Sequence, residues 1–486
     1  MGRFSRNILF TLLALGVALR IRQYMACPSY WYDEAYLLLN VFHKSFFELL
    51  GPLGDNQAAP PLFLWLLRGL YHFAGGSEWS MRLPALTASL AGLFIMVPLA
   101  RRVAGPRGRM WAIAFCALGH HAALHANEVK PYALDFLMTE LIVYAALRCR
   151  AVVRGWRPLV ALCLLAVLSP WVSYPSVFVL GSTYLALLIH GFRHRHAPYG
   201  RALIKIACAV GGLSVLSSFI LWQLAISRQA TPSLNEFWNS SFADLSSPGA
   251  TLMWMGRCLN EIGNYGTREM GLPMTVLALV GTVSLRRRPQ RLVLLIGPLA
   301  LAIAASALRL YPLGGRLVFF LVPYLWLLAA RGIDVVTRRI SVRLAWLGWT
   351  LPALLLVPTL LWAGQRFIAV VPRCQFREAF AYVEAHRKQG DVLWVSHPQV
   401  YEVYQGRTPH LSAYSSPIEV ERAARMGRLW MVCAVAGSRE RYTAPDTVSR
   451  VKATSCVVLD RRRFRGLEVV LYGPHVPPSR ARSAAE

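Results

Sequence analysis

The sequence predicts a polytopic α-helical membrane protein with a C-terminal α/β domain on the outer side of the membrane. Three observations lead to this fold class: an apolar composition, basic residues that recur between apolar runs, and a change of character after residue 372. The chain has 486 residues, of which 55% are hydrophobic and 16% charged, and its mean hydropathy is +0.41. This is too apolar for a soluble protein of this length, so much of the chain must lie in lipid.

The net charge of +28 would suit a partner such as nucleic acid if the basic residues formed one surface. Instead they recur in the short segments between apolar runs, where only Asp334 offsets them. One cluster is Arg101, Arg102, Arg107 and Arg109, and another is Arg286, Arg287, Arg288 and Arg291. This distribution follows the positive-inside rule, so these segments are predicted to be cytoplasmic and no nucleic-acid partner is expected.

The apolar runs predict about eleven transmembrane spans, with the N-terminus cytoplasmic and the C-terminus outside. The spans lie near 7–24, 83–103, 109–126, 131–149, 158–169, 172–190, 203–227, 271–285, 291–308, 315–330 and 344–371. The first run is interpreted as a retained helix, because "MACPSY" is a poor cleavage site for a signal peptide. The apolar segment "PLFLWLLRGLYHFA" is short and carries Arg68 and His72, so we expect a helix on the outer interface.

Residues 1–372 are predicted to form the transmembrane module, and residues 373–486 the outer domain. In the second part "FREAFAYVEAHRKQGD" has helical spacing, and "VLWVS", "LWMVCAVA", "TSCVVLD" and "LEVVLYG" have the composition of short buried strands. The nine cysteines show no CxxC spacing, which favours neither a zinc site nor a disulfide scaffold. Three of them share the outer domain, and the sequence leaves their pairing open.

Two acidic motifs are predicted to face the outer side of the membrane. The first, "CPSYWYDEAYLLLN", contains Asp33 and Glu34, and the second, "HANEVKPYALDFL", contains Glu128, Lys130 and Asp135. An unpaired charge near the bilayer costs ~2–4 kcal/mol, so these residues are expected to have a partner or a task. A Glu–Lys pair that caps a span would account for the second motif alone. Together, the two motifs could build one polar site at the membrane surface.

A third element, "RLYPLGGRLVFFLVP", places Arg316 beside two glycines on the predicted outer side, with Arg309 and Tyr311 just before them. Arginine binds phosphate through two parallel hydrogen bonds, and glycines let the backbone approach a ligand closely. The alternative is an arginine at a helix end whose side chain extends to the interface.

Four stretches, in this order, carry a resemblance to a known family. They are "WYDEAYLL", "DNQAAPPLFLWLLRGLYHFAGGSEWSMRLPALTASLAG", "NEVKPYALD" and "YPLGGRLVFFLVP". They resemble the integral-membrane glycosyltransferases of the GT-C class, specifically the family of protein O-mannosyltransferases and the bacterial lipid A aminoarabinose transferase (glycosyltransferase family 39-like). The resemblance covers the first 150 residues best and the remainder by architecture.

The resemblance implies a glycosyltransferase in a bacterial-type plasma (inner) membrane. It would move a sugar from a polyprenyl-phosphate donor to a glycan, lipid or protein acceptor on the outer face. Asp33 is then the general base, and Glu34 supports it or holds a divalent metal ion as a cofactor. Glu128 and Asp135 are the other candidate catalytic acids.

The same resemblance implies a set of residues that bind the substrate or the lipid phosphate. These are Lys130, Arg82, Arg316, Tyr311 and Tyr132. Relatives often carry Lys or His directly before the "PP" pair, where this chain has alanines, and an arginine where it has Lys130. Phosphate binding is therefore expected to fall on Lys130, Arg82 or Arg316, and acceptor choice on 228–270 and the outer domain.

Two other functions are possible for a multi-pass membrane protein of this kind. A transporter or flippase of lipid-linked sugars would need ionisable residues near the bilayer midplane and broken helices, whereas the acidic residues here gather at the predicted outer surface. A membrane scaffold would need no clustered acid–base set. The outer domain has no GxGxxG fingerprint after a strand, so it is not expected to be the catalytic centre.

Overall fold

The chain divides into two compact units. The computed structural model describes residues 3–149, 157–339, 346–436, 441–442, 445–453 and 456–474. The membrane unit comprises Met1–Ala26 and Lys44–Val370, and the sheet unit comprises Cys27–His43 and Val371–Glu486. The sheet unit thus includes the segment with Asp33 and Glu34, which the sequence analysis placed in the transmembrane module. The last part of the predicted outer domain, 475–486, lies outside the described residues.

Among the described residues, sixteen helices of the membrane unit and one of the sheet unit precede residue 370. They are α1 (Arg3–Met25), α2 (Tyr32–His43, in the sheet unit), α3 (Pro61–Ala74), α4 (Glu78–Val103), α5 (Gly105–Leu118), α6 (His120–His125), α7 (Tyr132–Cys149), α8 (Arg157–Val172), α9 (Ser176–Arg193), α10 (Pro198–Leu221), α11 (Ser227–Gln229), α12 (Pro232–Phe237), α13 (Pro248–Thr267), α14 (Gly271–Ser284), α15 (Pro289–Ala307), α16 (Val322–Arg339) and α17 (Leu347–Ile368). A π-helical turn at Trp222–Ile226 joins α10 to α11, and 3₁₀ helices lie at Glu48–Leu50, Asn239–Ser241 and Gly315–Leu321.

Each predicted span overlaps at least one of these helices. Six helical segments of the described residues are long and apolar enough to cross a membrane: Ser5–Met25, Glu78–Val103, Ser176–Arg193, Pro198–Gln229, Pro289–Ala307 and Gly315–Arg339. Three shorter apolar helices, Arg157–Val172, Gly271–Ser284 and Pro352–Ile368, accompany them. The chain is therefore a multi-pass membrane protein, and the count of eleven spans stays a prediction.

The core of the membrane unit is built around α16. In the apolar 18-residue stretch of Gly315–Arg339, 89% of the residues are buried, and neighbouring helices approach it at glycines. A Cβ atom on Gly281 of α14 would lie 1.9 Å from the carbonyl oxygen of Leu328, and one on Gly108 of α5 would lie 1.9 Å from that of Ala330. Only glycine permits such contacts, which bring helix backbones close together as is common in membrane bundles.

The side chain of Asp334 joins α16 to the start of α5. Its Oδ1 accepts a hydrogen bond from the backbone N–H of Arg107 at 3.0 Å. Its carboxylate also lies 2.9 Å from the guanidinium of Arg338 and 3.4 Å from that of Arg331. The negative charge of Asp334 therefore balances the positive end of the α5 helix dipole and two cationic side chains. This accounts for the presence of one carboxylate in a predicted basic segment.

The sheet unit is a mixed sheet with helices on both faces. Its strands are β1 (Val392–Val395), β2 (Leu411–Ser412), β3 (Leu429–Ala436), β4 (Arg441–Tyr442), β5 (Val457–Phe464) and β6 (Leu467–Gly473), and its remaining helices are α18 (Phe376–His386), α19 (Pro398–Gln405), α20 (Pro417–Met426) and α21 (Pro445–Ala453). The strand order is β2-β1-β3-β6-β5, with β4 paired to β3. β1 is parallel to β2 and β3, whereas β6 is antiparallel to β3 and β5.

Alternation along the strands sends side chains to two apolar layers. On one face Leu393 and Val395 of β1 pack with Phe376 and Phe380 of α18 and with Ala35 of α2. On the other face Trp394 and Met431 pack with residues of α20 and α21. The sheet is therefore covered on both sides, and α2 is part of one covering layer. All nine cysteines lie among the described residues, and each is a free thiol.

Candidate functional site

The N-terminus of α7 carries the second acidic motif. The carbonyl oxygen of Pro131 accepts hydrogen bonds from the backbone N–H groups of Leu134 and Asp135, each at 2.9 Å, so the helix begins directly after the proline. Proline suits this position because its fixed φ is helical and it has no N–H to leave unsatisfied. The start of α7 is thus set by the sequence, and it places Tyr132 and Asp135 in the first turn.

Two buried polar pairs surround this helix start. The Nδ1 of His125 and Oε2 of Glu128 share a hydrogen bond of 2.6 Å, and both side chains are almost fully buried. The Nζ of Lys130 donates to Oε1 of Gln57 at 2.6 Å. Lys130 and Glu128 are each 4% exposed. Glu128 and Lys130 therefore each have a defined buried contact, the first to a histidine and the second to an amide.

The loop 55–60 is held by the segment that follows α10. The backbone N–H of Ala59 donates to Oε1 of Gln229 at 3.1 Å, and the hydroxyl of Tyr174 lies 3.0 Å from the carbonyl oxygen of Ala59. The hydroxyl of Ser233 donates to Oδ1 of Asn56 at 2.6 Å. These contacts fix the backbone of the loop that carries Gln57, so the position of the amide beside Lys130 is also determined.

Arg316 lies among aromatic rings from two other parts of the membrane unit. Its Cζ atom is 5.8 Å from the ring centroid of Tyr132 and 5.9 Å from that of Trp238. The preceding residue, Gly315, has a φ of +56° and donates its backbone N–H to Oε1 of Glu261 at 2.6 Å. Glycine adopts this left-handed conformation without strain, so the turn before Arg316 depends on it.

Tyr311 and Asp135 come together in the same region. The phenol of Tyr311 lies within electrostatic range of Asp135 and Tyr132, and its hydroxyl donates to the carbonyl oxygen of Leu317 at 3.0 Å. The structure thus brings Tyr132, Asp135, Tyr311 and Arg316 into one set, and it buries Arg82 in the first turns of α4.

Asp33 and Glu34 lie in the sheet unit, whereas the other seven predicted site residues lie in the membrane unit. Both acids belong to the first turn of α2 and are buried, at 6% and 1% exposure. The backbone N–H of Trp31 donates to Oε2 of Glu34 at 3.3 Å. Glu34 thereby satisfies one N–H at the helix start, which is half of a capping box, and acids in a first turn are favoured by the helix dipole.

Contacts from the C-terminal residues surround α2 on several sides. Tyr32 stacks on the His397 ring with centroids 4.9 Å apart, and the hydroxyl of Tyr36 shares a hydrogen bond of 2.9 Å with Nδ1 of His397. The guanidinium of Arg373 lies 4.0 Å from the ring centroid of Trp31. Burial lowers the pKa of His397 to about 4, so this imidazole is neutral at pH 7.

Several polar residues of these sets were not assigned a role from the sequence. They are Gln57, His125, Tyr174, Gln229, Trp238, Glu261 and His397. His125 stands inside the quoted second motif, Gln57 stands inside the quoted stretch that begins "DNQAAPP", and Gln229, Trp238 and Glu261 stand in the polar segment 228–270, so a signal existed for these five. Nothing in the sequence marks Tyr174 or His397.

Metal binding was expected only at Glu34. Across the described residues, no group of three or more His, Cys, Asp or Glu side chains is arranged to hold a metal ion. The residues present include carboxylates, which can accept a proton, and lysine and arginine, which can bind a phosphate.

Comparisons with known proteins support this fold. No family model matches the chain, and no curated protein sequence matches it. The crystal structure of ArnT from Cupriavidus metallidurans bound to undecaprenyl phosphate is similar, with a TM-score of 0.53 and 14% identity over 95% of this chain and 97% of that one. The crystal structure of the same protein in the apo state has a TM-score of 0.53 and 13% identity, over 97% of this chain and 98% of that one.

A crystal structure of the Archaeoglobus fulgidus oligosaccharyltransferase in complex with zinc and sulfate is also similar, with a TM-score of 0.50 and 12% identity over 87% of this chain and 67% of that one. ArnT is the lipid A aminoarabinose transferase, and both proteins are glycosyltransferases of the GT-C class. The resemblance inferred from the four sequence stretches is thus confirmed at the level of the fold.

Proposed function

We propose that this chain is a glycosyltransferase that moves a hexosyl or pentosyl group from a polyprenyl-phosphate donor to an acceptor on the outer face of the membrane. One observation carries the proposal. In a membrane unit with similarity to GT-C structures, three separate stretches converge, because Lys130 contacts Gln57 at 2.6 Å and Arg316 lies 5.8 Å from Tyr132. They are three of the four stretches on which the family resemblance rests.

The cations of this set suit a lipid phosphate. Transfer breaks the bond between the anomeric carbon and the phosphate oxygen, so negative charge develops on the leaving polyprenyl phosphate. A positioned cation stabilises such charge more strongly in a water-poor site than in solution. Arg316 can offer two parallel hydrogen bonds to phosphate oxygens, whereas Lys130 offers a point charge. The rings of Tyr132 and Trp238 restrict the guanidinium of Arg316, which reduces the entropy lost on binding.

Asp33 takes the role of general base. The acceptor hydroxyl attacks the anomeric carbon, its proton passes to the Asp33 carboxylate, and the phosphate leaves with the bonding electrons. General-base catalysis of this kind contributes ~10²–10⁴ in rate. Glu34, which accepts a hydrogen bond from Trp31, supports the start of α2. Glu128 and Asp135 are the alternative bases, and Glu34 is the residue that a divalent ion would contact.

Membrane placement follows from the same proposal. The eleven predicted spans would cross a bacterial-type inner membrane, and the sheet unit would lie on the outer side as an α/β domain. The acceptor would be chosen by 228–270 and by this domain. Consistent with that assignment, Gln229 and Ser233 of the first segment hydrogen-bond to the loop 55–60.

The test is direct assay of the purified full-length protein. It is incubated with undecaprenyl-phosphate-linked hexose or pentose and with glycan, lipid and peptide acceptors, and products are identified by mass spectrometry. The expected result is an acceptor heavier by one sugar residue together with free undecaprenyl phosphate. Asp33→Asn serves as the matched negative control.

The outcome that would contradict the proposal is movement of intact donor across a proteoliposome membrane with no covalent product from any acceptor. That result would favour the transporter alternative. A product formed at the wild-type rate by Asp33→Asn would keep the transferase and move the base to Glu128 or Asp135.

A further inference from the structure

The parallel part of the sheet has the strand order β2-β1-β3. β1 is followed by α19, whose Val400 and Tyr401 pack on one face of the sheet. β2 is followed by α20, whose Val420 and Ala424 pack on the other face. The connections that follow β1 and β2 therefore lie on opposite faces of the sheet, and they lead to strands on opposite sides of β1. In open α/β sheets, ligands bind outside the carboxyl ends of the strands at such a switch point.

In this protein a segment of the chain itself occupies the carboxyl end of β1. His397 follows the strand by two residues, and it carries both the stacked ring of Tyr32 at 4.9 Å and the hydrogen bond to Tyr36 at 2.9 Å. The backbone N–H of Tyr30 donates to the hydroxyl of Tyr404 in α19 at 2.7 Å. Ala35 is fully buried in the same apolar layer.

Further contacts fix the chain just before α2. The hydroxyl of Ser29 donates to the carbonyl oxygen of Cys374 at 2.6 Å, and the guanidinium of Arg377 donates to the carbonyl oxygen of Cys27 at 3.0 Å. The segment 27–36 is thus bound along its length by residues more than 300 positions away in the sequence. It is held as an element of the sheet unit.

We infer that the carboxyl end of β1 holds α2 in the place where other α/β sheets hold a ligand, and that His397 is the positioning residue for Asp33 and Glu34. This inference rests on the proposed function for its catalytic consequence, although the binding of α2 stands on geometry alone.

Helix geometry explains why two contacts to one imidazole are sufficient. Tyr32 and Tyr36 are four residues apart, so they lie one turn apart on the same side of α2. Contact with both of them fixes the position of the helix along its axis and its rotation about that axis. Successive residues are separated by about 100° of rotation, so Asp33 and Glu34 point away from His397 in directions that this contact determines.

The chemistry of His397 suits this task. A neutral imidazole presents a flat face for the Tyr32 ring and a nitrogen that can accept the Tyr36 proton. Its low pKa, caused by burial, keeps it neutral at pH 7. Phenylalanine at this position would retain the flat face but lose the hydrogen bond, and asparagine would retain a polar atom near Nδ1 but lose most of the stacking area.

The experiment uses the full-length protein in detergent or nanodiscs, with four variants: His397→Ala, His397→Asn, Tyr36→Phe and the control His386→Ala. His386 is a second histidine of the sheet unit that packs on a tyrosine, with its ring centroid 4.2 Å from that of Tyr382, but it has no part in holding α2. Two readouts are taken: hydrogen exchange of the amides in 27–43, and kcat and KM for undecaprenyl-phosphate sugar.

His397→Ala is expected to raise amide exchange in 27–43 at least tenfold and to lower kcat about 100-fold, because displacement of a reacting group by about 1 Å costs that much. The KM for donor should change less than twofold. His397→Asn should have a higher kcat than His397→Ala. Tyr36→Phe should raise amide exchange and lower kcat by smaller factors, and His386→Ala should have the exchange and kcat of wild type.

Unchanged exchange in 27–43 for both His397→Ala and Tyr36→Phe would overturn the inference. So would a fall in kcat for His386→Ala as large as for His397→Ala. If His397→Ala fails to fold, Tyr36→Phe decides, since it removes one oxygen atom and leaves the ring. If wild type transfers no sugar, the proposed function fails, and the exchange data still decide whether His397 holds α2.

Discussion

Replacing Arg316 by alanine is expected to weaken binding of the lipid-linked donor and to slow transfer. The side chain lies 5.8 Å and 5.9 Å from the rings of Tyr132 and Trp238, so it is restricted before the donor arrives. A hydrogen bond to a charged group contributes about 1.5–3 kcal/mol, which corresponds to roughly 10- to 150-fold in affinity by the relation of 1.4 kcal/mol per tenfold. Arg316→Lys should recover only part, because an ammonium cannot form the forked contact.

The assay is equilibrium binding of a fluorescent undecaprenyl-phosphate sugar to the purified protein, followed by initial rates of transfer. Arg309→Ala is the matched control. Arg309 stands on the same segment, but its guanidinium donates to Asn239 and lies 5.1 Å from the ring of Phe242. The control variant should bind donor as wild type does. Thermal unfolding of both variants separates a loss of stability from a loss of binding.

Unchanged donor affinity in Arg316→Ala, with the fold intact, would refute the reasoning and move the phosphate contact to Lys130 or Arg82. An equal loss of donor affinity in Arg309→Ala would also refute a specific phosphate contact by Arg316, because it would show that any positive charge on this segment has the same effect.

Further predictions concern the acids and the histidine. Asp33→Asn should lower the transfer rate by ~10²–10⁴ with donor binding retained, measured as initial rates beside binding constants. Glu34→Gln should be milder, since the amide oxygen can still accept from Trp31; an equally severe loss, together with inhibition by added chelator, would instead indicate a metal ligand. Asp334→Asn should lower the free energy of unfolding by about 1–3 kcal/mol, because buried charged hydrogen bonds are lost, and should reduce Tm in detergent without a change in donor affinity. The pKa of His397 is about 4 in the folded chain against an ordinary 6.5, so between these pH values the unfolded chain binds more protons than the folded chain. The free energy of unfolding should therefore fall as pH drops from about 6.5 to about 4. Thermal unfolding across this range should show a falling Tm, and His397→Asn should make that fall smaller.

Local features of the sequence anticipated much of the secondary structure. Each predicted span overlaps a helix, and "FREAFAYVEAHRKQGD", "VLWVS" and "LEVVLYG" contain α18, β1 and β6. Such elements can be predicted because a helix in lipid satisfies its backbone hydrogen bonds within its own segment. Short strands reveal themselves by apolar runs between turn residues. Proline at the start of α7 is a local signal of the same kind.

The candidate site was predicted only in part. Glu128 and Lys130 were predicted because charged residues beside apolar helices are costly without a task, and Arg316 because an arginine beside two glycines suits a phosphate. Their neighbours Gln57 and Trp238 stand in stretches that the sequence marks, but an amide or an indole in a polar loop is ordinary, so neither residue was assigned a role. Which of these side chains meet depends on contacts between residues far apart in the sequence. Lys130 and Gln57, for example, are 73 positions apart.

By itself, the sequence determined that this is a multi-pass membrane protein with a distinct C-terminal segment of strands, because hydropathy and turn residues act over short distances along the chain. Only the tertiary structure decided that α2, with Asp33 and Glu34, belongs to the sheet unit. The contacts responsible, Ser29 with Cys374 and Tyr30 with Tyr404, join residues 345 and 374 positions apart. No local pattern encodes such pairs. They depend on where the folded sheet places the carboxyl end of β1 and on the apolar layer of the sheet in which Ala35 is buried.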